Sequence, residues 1–455
     1  MYKISFLFAF ILFAGISYSH DKHPYIPDTD PAVLQKLEQW KDLKFGLLMH
    51  WGTYSQWGIV ESWSLCSEDE PWCTRKIKNY MDYCRAYTNL KNTFNPVKFD
   101  PDKWAEAASN AGMKYVVFTT KHHDGFCMFD TKQSDYKITD EACPFYSNPK
   151  ANIAKEIFDA FRKEGMWSGA YFSKPDWHSN DYWAEEWATP NRNVNYDIEK
   201  HPERWQRFCN FTYNQIEELM SQYGKIDILW LDGGWVSPAN NQDINMSVIA
   251  EMARHYQPGL IIVDREVPGK FENYRTPEQQ VPASPPDYPW ETCMTMATSW
   301  SYVPGDVYKP ARTLVQLLVD IVAKGGNFLL NIGPSPDGEL ADTAYARLKE
   351  IGDWMKVNGE AIYKTRPVKP YKSGKTCFTS LTDGTVYLLY LADSTESGIP
   401  AYFDVKGFQP SKGSKIQLLG RNGNLVWKSS GEDLRIMIPP GDPPCKYAWV
   451  FKVQN

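Results

Sequence analysis

No C-x-x-C pair occurs among the nine cysteines, which argues against a structural zinc site. Charge of one sign is not in excess. The 49 basic residues nearly match the 55 acidic ones, and the net charge of −6 gives no electrostatic reason to expect nucleic acid as a partner. Past the N-terminal segment, no apolar run reaches the ~20 residues that a membrane-crossing helix requires, so stable membrane insertion is not expected. No internal repeat and no low-complexity tract is present. With 43% hydrophobic and 23% charged residues, a largely disordered chain is excluded. The length of 455 residues suits one large and one small domain. What is plentiful is tryptophan, at 18 residues, with aromatics at 15%. A core uses some of these. A carbohydrate-handling surface uses more, because aromatic faces pack against the C–H faces of sugars while polar tips find hydrogen bonds.

Residues 1–19 read as a secretory signal. Lys3 precedes the apolar run Ile4 to Ile16, and Ser17-Tyr18-Ser19 supplies a small-x-small site. The mature chain is expected to start near His20 and to be exported to the periplasm or the extracellular space, or to the lysosome if the source is eukaryotic. Disulfides are then permitted, and Cys66, Cys73 and Cys84 are close enough in sequence to be bridged. The oligomeric state is not legible.

Between residues 20 and 360 short apolar runs alternate with amphipathic stretches. The predicted strands are Phe45–Met49, Tyr115–Thr119, Ser168–Phe172, Ile226–Leu231, Leu260–Val263 and Asn327–Ile332. The predicted helices are Asp102–Ala111, Ala151–Lys163, Glu203–Gln222, Ile244–His255, Ala311–Ala323 and Asp342–Val357. Pro101, Pro202 and Pro310 mark helix starts, and Gly112, Gly165 and Gly224 follow helix ends. This order predicts an α/β fold, a (β/α)8-like barrel that is irregular because eight clean units cannot be found. From 361 to 455 the runs shorten and alternate, and Asp383-Gly384 and Asn422-Gly423 are hairpin-turn signals. That stretch is expected to be a small antiparallel β-sandwich.

Polar residues collect where the predicted strands end. His50-Trp51-Gly52, Lys121-His122-His123-Asp124-Gly125, Pro175-Asp176-Trp177-His178, Asp232-Gly233-Gly234 and Asp264-Arg265-Glu266 each follow a strand. In a (β/α) barrel those positions converge on one face, where active sites of this fold are built. Asp232 closes an apolar run ahead of two glycines. Burying a charge there is costly unless it is paired or used, so Asp232 is the expected nucleophile. A second carboxylate must carry a proton. Glu291, between Trp290 and Cys293, has apolar neighbours that would raise its pKa, and is preferred over Glu278 on a proline-rich loop. The adjacent His122 and His123 should point to opposite sides of an extended backbone, which favours hydrogen bonding to hydroxyls over metal ligation. No metal and no cofactor is expected.

These segments together resemble the α-L-fucosidases of glycoside hydrolase family 29. The likeness runs from Phe45-Gly46 and His50-Trp51-Gly52 through Lys121 to Phe126, Tyr171, Pro175-Asp176-Trp177 and Trp230-Leu231-Asp232-Gly233. It continues through Asp264-Arg265, Trp290-Glu291-x-Cys293 and Asn327 to Pro334. The resemblance implies a retaining exo-glycosidase that releases terminal α-L-fucose from fucosylated oligosaccharides or glycoconjugates. It implies Asp232 as nucleophile, with Glu291 first and Glu278 second as acid/base. It also implies that His50, Trp63, His122, His123, Tyr171, Trp230 and Arg265 hold the sugar. The stretches 66–95 and 183–202 look longer than the family would suggest.

Overall fold

The computed structural model describes residues 23–66, 73, 75–189, 191–396 and 398–454. The expected signal segment 1–19 lies outside the described residues. Seven parallel strands form the central sheet: β1 (Phe45–Met49), β2 (Tyr115–Lys121), β3 (Trp167–Ser173), β4 (Ile228–Asp232), β5 (Ile261–Asp264), β6 (Glu291–Thr295) and β7 (Asn327–Ile332). Their spatial order is β5-β4-β3-β2-β1-β7-β6. Between β5 and β6 the ring is completed by the irregular segment 271–279. On one side the Asp264 amide donates to the Phe271 carbonyl (2.9 Å) and the Asn273 amide to that of Ile262 (2.9 Å). On the other, the Glu291 amide donates to Arg275 (2.9 Å) and the Gln279 amide to Cys293 (3.0 Å). The expected irregular (β/α)8-like barrel is thus the observed one.

Strands buried on both faces need apolar residues in succession, and β1 and β2 are buried throughout. One set of side chains fills the barrel interior: Leu48, Tyr115, Val117, Tyr171, Trp230, Val263, Tyr274, Cys293 and Leu329 pack together. The alternate set, including Leu47, Val116, Phe118, Leu229 and Leu330, packs outward into the larger cluster.

The surrounding helices are α1 (Pro31–Leu43), α2 (Tyr80–Thr88), α3 (Pro101–Asn110), α4 (Ile153–Lys163), α5 (Pro202–Gln222), α6 (Met246–Tyr256), α7 (Ala311–Ala323) and α8 (Asp342–Asn358). Asp30 and Asp100 cap α1 and α3, each followed by a proline whose missing N–H is no loss at that position. α4 buries Ile153, Ile157, Phe158 and Phe161, the spacing of one helical face.

The C-terminal strands are β8 (Arg366–Ser373), β9 (Thr376–Ser380), β10 (Val386–Leu391), β11 (Tyr402–Val405), β12 (Lys415–Leu418), β13 (Val426–Ser430), β14 (Asp433–Met437) and β15 (Ala448–Gln454). They form a five-stranded sheet, β12-β15-β10-β9-β8, and a three-stranded sheet, β11-β14-β13. Phe378, Phe403, Ile436, Trp449 and Phe451 join the two as one core. The Trp354 indole of α8 donates to the Ala448 carbonyl (2.9 Å) and ties this unit to the barrel.

Two expectations change. β6 was not foreseen as a strand, because Glu291, Thr292 and Thr295 interrupt its apolar character. Asp383-Gly384 does join two paired strands, β9 and β10. Asn422-Gly423 does not: β12 pairs with β15 and β13 with β14, so the chain changes sheet there.

Gly46 lies on β1 where a Cβ would sit 2.4 Å from the Tyr115 ring. Gly46→Ala should therefore destabilise the fold by about 1–3 kcal/mol. A denaturant titration showing an unchanged midpoint would contradict this packing.

Candidate active site

Five of the seven barrel strands deliver a polar residue to one end of the barrel, and a cavity of about 1070 Å³ opens there. Asp232 is the last residue of β4 and sits in this cavity. Its Oδ2 accepts from the Tyr171 hydroxyl (2.6 Å). Its Oδ1 accepts from the Gly233 amide (2.8 Å) and from Nη1 of Arg265 (3.1 Å). Burial opposes ionisation of Asp232. The Arg265 guanidinium, together with the Tyr171 hydroxyl and the Gly233 amide, nevertheless holds its carboxyl well below the usual range. These three bonds fix the orientation of the carboxylate.

Arg265 follows β5 and reaches both ways. Its Nη2 also donates to Glu278, and its Nε to the Thr276 hydroxyl (3.1 Å). One guanidinium therefore joins Asp232 to Glu278. The Trp230 ring lies beneath it at 5.2 Å. Glu278 lines the cavity and its side chain is 41% exposed, at the rim. It is held there by its neighbour: the Gln279 side chain meets the Thr295 amide (3.4 Å) and hydroxyl (3.2 Å) at the end of β6.

Glu291 is placed elsewhere. It opens β6, opposite Asn327, which opens β7, so it lies at the end of the barrel away from the cavity and does not line it. Its carboxylate accepts from the Tyr115 hydroxyl (2.5 Å) and the Trp230 indole (3.3 Å). Burial raises its pKa to about 7, as its apolar neighbours suggested. The geometry runs against the expectation that Glu291 precedes Glu278 as acid/base: Glu278 lines the same cavity as Asp232, whereas Glu291 does not and is tied to Tyr115 and Trp230. A perturbed pKa marked a floor residue that braces Trp230.

The other expected residues converge. His50 has Nδ1 against Asn331 Oδ1 (2.8 Å), and Asn331 donates its own N–H to the Trp300 carbonyl (2.6 Å). That fixes the amide and makes His50 Nδ1 the donor, leaving Nε2 to accept. His122 Nδ1 meets the Ser62 hydroxyl (2.5 Å), and its ring stacks parallel to Tyr171. His123 lies among Trp63, Trp177 and Trp235, each with ring centroids 5.1 Å away, and its Nε2 is 3.8 Å from Asp232. Burial pushes His50 down to about 4 and His123 to about 3, so both rings are neutral. The two adjacent histidines do not splay to opposite sides as an extended strand would require, because β2 ends at Lys121 and the backbone turns. His122, His123 and Asp232 bring ligand atoms within 4.8 Å of one another. A cation there would meet the Arg265 guanidinium already bound to the same carboxylate, so the donor set fits a metal poorly.

Two residues escaped sequence reasoning. Glu61 lines the cavity, and its Oε1 accepts from the Ser301 amide (2.7 Å). Lys174 pairs with Asp264 (2.6 Å) behind the site, while its amide donates to the Asp232 carbonyl (2.9 Å). No sequence signal marks Glu61, which becomes a site residue only through the fold.

A fixed carboxylate, a second one at the rim, neutral histidines and an aromatic wall, all at the mouth of a (β/α) barrel, define a glycoside hydrolase. The family model for alpha-L-fucosidase matches residues 12–360. The chain belongs to the alpha-L-fucosidase family. Mouse tissue alpha-L-fucosidase is 29% identical to it, over 94% of each chain. Human plasma alpha-L-fucosidase is 27% identical over 96% of this chain and 94% of its own. Among solved structures, alpha-L-fucosidase isoenzyme 1 from Paenibacillus thiaminolyticus superposes with a TM-score of 0.76 at 29% identity, covering 93% of this chain and 99% of its own. The Thermotoga maritima alpha-fucosidase in complex with fucose gives 0.72 at 25% identity, covering 95% and 100%.

Burial raises the Glu61 carboxyl from 4.5 to about 8. A group protonated in the fold but titrating normally when unfolded stabilises fully below about 4.5. That stability is lost as pH rises through about 8. The melting temperature should fall across this window, and Glu61→Gln should flatten the fall. Parallel curves for the two proteins would contradict a protonated Glu61.

Proposed function

We propose that the protein is a retaining exo-glycosidase that hydrolyses terminal α-L-fucose from fucosylated glycans through a covalent fucosyl-enzyme. The observation that carries this reading is the single guanidinium joining Asp232, ionised at the end of β4, to Glu278 at the rim. Retaining hydrolysis uses two carboxyls ~5–5.5 Å apart. Asp232 attacks the anomeric carbon while Glu278, carrying a proton, gives it to the departing oxygen. Water, deprotonated by the same Glu278, then attacks the anomeric carbon and frees Asp232. The Tyr171 hydroxyl and Arg265 orient the nucleophile. His50, His122 and His123 meet sugar hydroxyls as neutral donors and acceptors. Trp63, Trp230 and Tyr171 offer apolar faces to the ring and its methyl group. Both carboxyls and these side chains belong to the segment 20–360. Residues 361–455 act as a separate, bracing β domain, and residues 1–19 direct export.

Asp232→Ala should lower kcat on an aryl α-L-fucoside by at least ~10³-fold with folding unchanged. Glu278→Ala should lose ~10²–10⁴-fold on a poor leaving group and far less on an activated aryl one, because protonation then matters less. Glu291→Gln should change kcat by less than about tenfold, as removal of a brace rather than of a proton donor. If Glu291→Gln proved the more damaging on poor leaving groups, or if the first-formed product were the inverted anomer by NMR, the assignment would fail.

A further inference from the structure

Arg265 faces one carboxylate more than the two it binds. Its Nη2, which donates to Glu278, also lies 3.8 Å from Oε1 of Glu266. At that distance there is an ion pair but no hydrogen bond. Glu266 follows Arg265 directly, lines the cavity, and has a side chain that is 42% exposed.

A rim charge that only met solvent would need no special backbone. Glu266 has φ +64°, in the left-handed region that side chains seldom adopt. Its amide is tied down, donating to Glu272 Oε1 (3.3 Å). Its side chain passes so close to Gly234 that a Cβ there would lie 2.8 Å from the Glu266 Cβ and 3.2 Å from its Oε2. Strain of this kind persists only where the surroundings over-determine it, and it gathers at functional sites.

The need for a third carboxylate follows from the chemistry. An opposite charge alongside favours the ionised form of a carboxyl. To give a proton to a departing oxygen, Glu278 must therefore give up the guanidinium. Arg265 would keep Asp232 through Nη1 and lose its partner on Nη2. A buried charge short of an acceptor is costly. The other titratable groups beside Arg265 and Glu278 cannot take the bond as anions. Burial holds the Cys293 thiol neutral, pushes the Glu61 carboxyl up to about 8 and pushes His50 down to about 4. The Thr276 hydroxyl already accepts from Nε. Among the described residues, Glu266 is the carboxylate facing Arg265 that accepts no hydrogen bond.

We infer that Glu266 is a positioning residue that takes over Nη2 of Arg265 whenever Glu278 is in its proton-donating form. The inference rests on Asp232 as nucleophile and Glu278 as acid/base. In the first step Glu278 passes its proton to the departing oxygen, is left as a carboxylate and recovers Nη2. In the second it takes a proton from the attacking water and releases Nη2 to Glu266 again. Closing 3.8 Å to a charge-assisted bond of ~2.8 Å asks only for a side-chain adjustment.

The test is the pH profile of kcat/KM on a fucoside with a poor leaving group, for the wild type, Glu266→Gln and Glu266→Gly. Glycine suits the positive φ, so the second variant keeps the test valid if the first misfolds. Without Glu266, Nη2 stays on Glu278 and favours its ionised form. The basic limb should then move to lower pH by about 0.5 or more. The loss should be about fivefold or more beyond that on an activated aryl fucoside, whose departure needs less protonation. Lost packing alone would lower rates without moving the limb. An unmoved limb in the folded variants would overturn the inference and leave the hydrolase intact. A basic limb that persists in Glu278→Gln would overturn the assignment of Glu278 as acid/base, and this inference with it.

Discussion

A buried carboxylate that has to stay charged is the constraint around which the site is arranged. Asp232 lies on the last residue of a strand whose other residues are apolar and buried. Desolvation alone would protonate it. Arg265, the Tyr171 hydroxyl and the Gly233 amide reverse that, and each depends on a different piece of the barrel. Arg265 follows the neighbouring strand β5, and Tyr171 lies on β3, in register with Trp230 of β4. The positive φ of Gly233 (87°) lets the backbone turn at once, in a place where a Cβ would meet Pro175 at 2.4 Å. The barrel register is therefore also the register of the charge network.

Arg265 has a second consequence. By holding Asp232 and Glu278 together it makes the irregular segment 271–279 part of the cavity as well as of the barrel wall. That segment gives up regular strand geometry, with Gln279 at φ +54°. The Gln279 side chain, bonded to Thr295, secures it at the end of β6. At the opposite end, Glu291 receives the Trp230 indole and the Tyr115 hydroxyl, so the aromatic column beneath the cavity stands on a hydrogen-bonded base.

Much of this was legible in the sequence. Buried parallel strands are apolar throughout, so β1, β2, β3 and β7 announce themselves, and of the polar residues expected just after β1 and β2, His50 and His122 line the cavity. The acid at the end of β4 was legible for the same reason. β6 was hidden because its first residue is a glutamate that faces the barrel interior with two aromatic donors, an arrangement no local pattern encodes. The same concealment reversed the ranking of Glu291 and Glu278. Apolar neighbours predicted a raised pKa, and Glu291 has one, but sequence adjacency does not say at which end of a barrel a residue lies. Glu278 looked like an ordinary loop charge because its partner, Arg265, is reached through the fold. Arg192 and Asn193, which line the cavity, are held by bonds from Trp177, Trp183 and Gln242, residues that have no joint signature in the sequence.

The central claim is that Asp232 is the atom-bonding carboxylate. Incubation with an activated 2-fluoro-fucosyl fluoride, followed by proteolysis and peptide mass spectrometry, tests it directly. The account predicts a single fucosyl adduct on the peptide containing Asp232. An adduct on Glu278 or Glu291, or turnover of the reagent with no adduct under conditions that slow the second step, would contradict it.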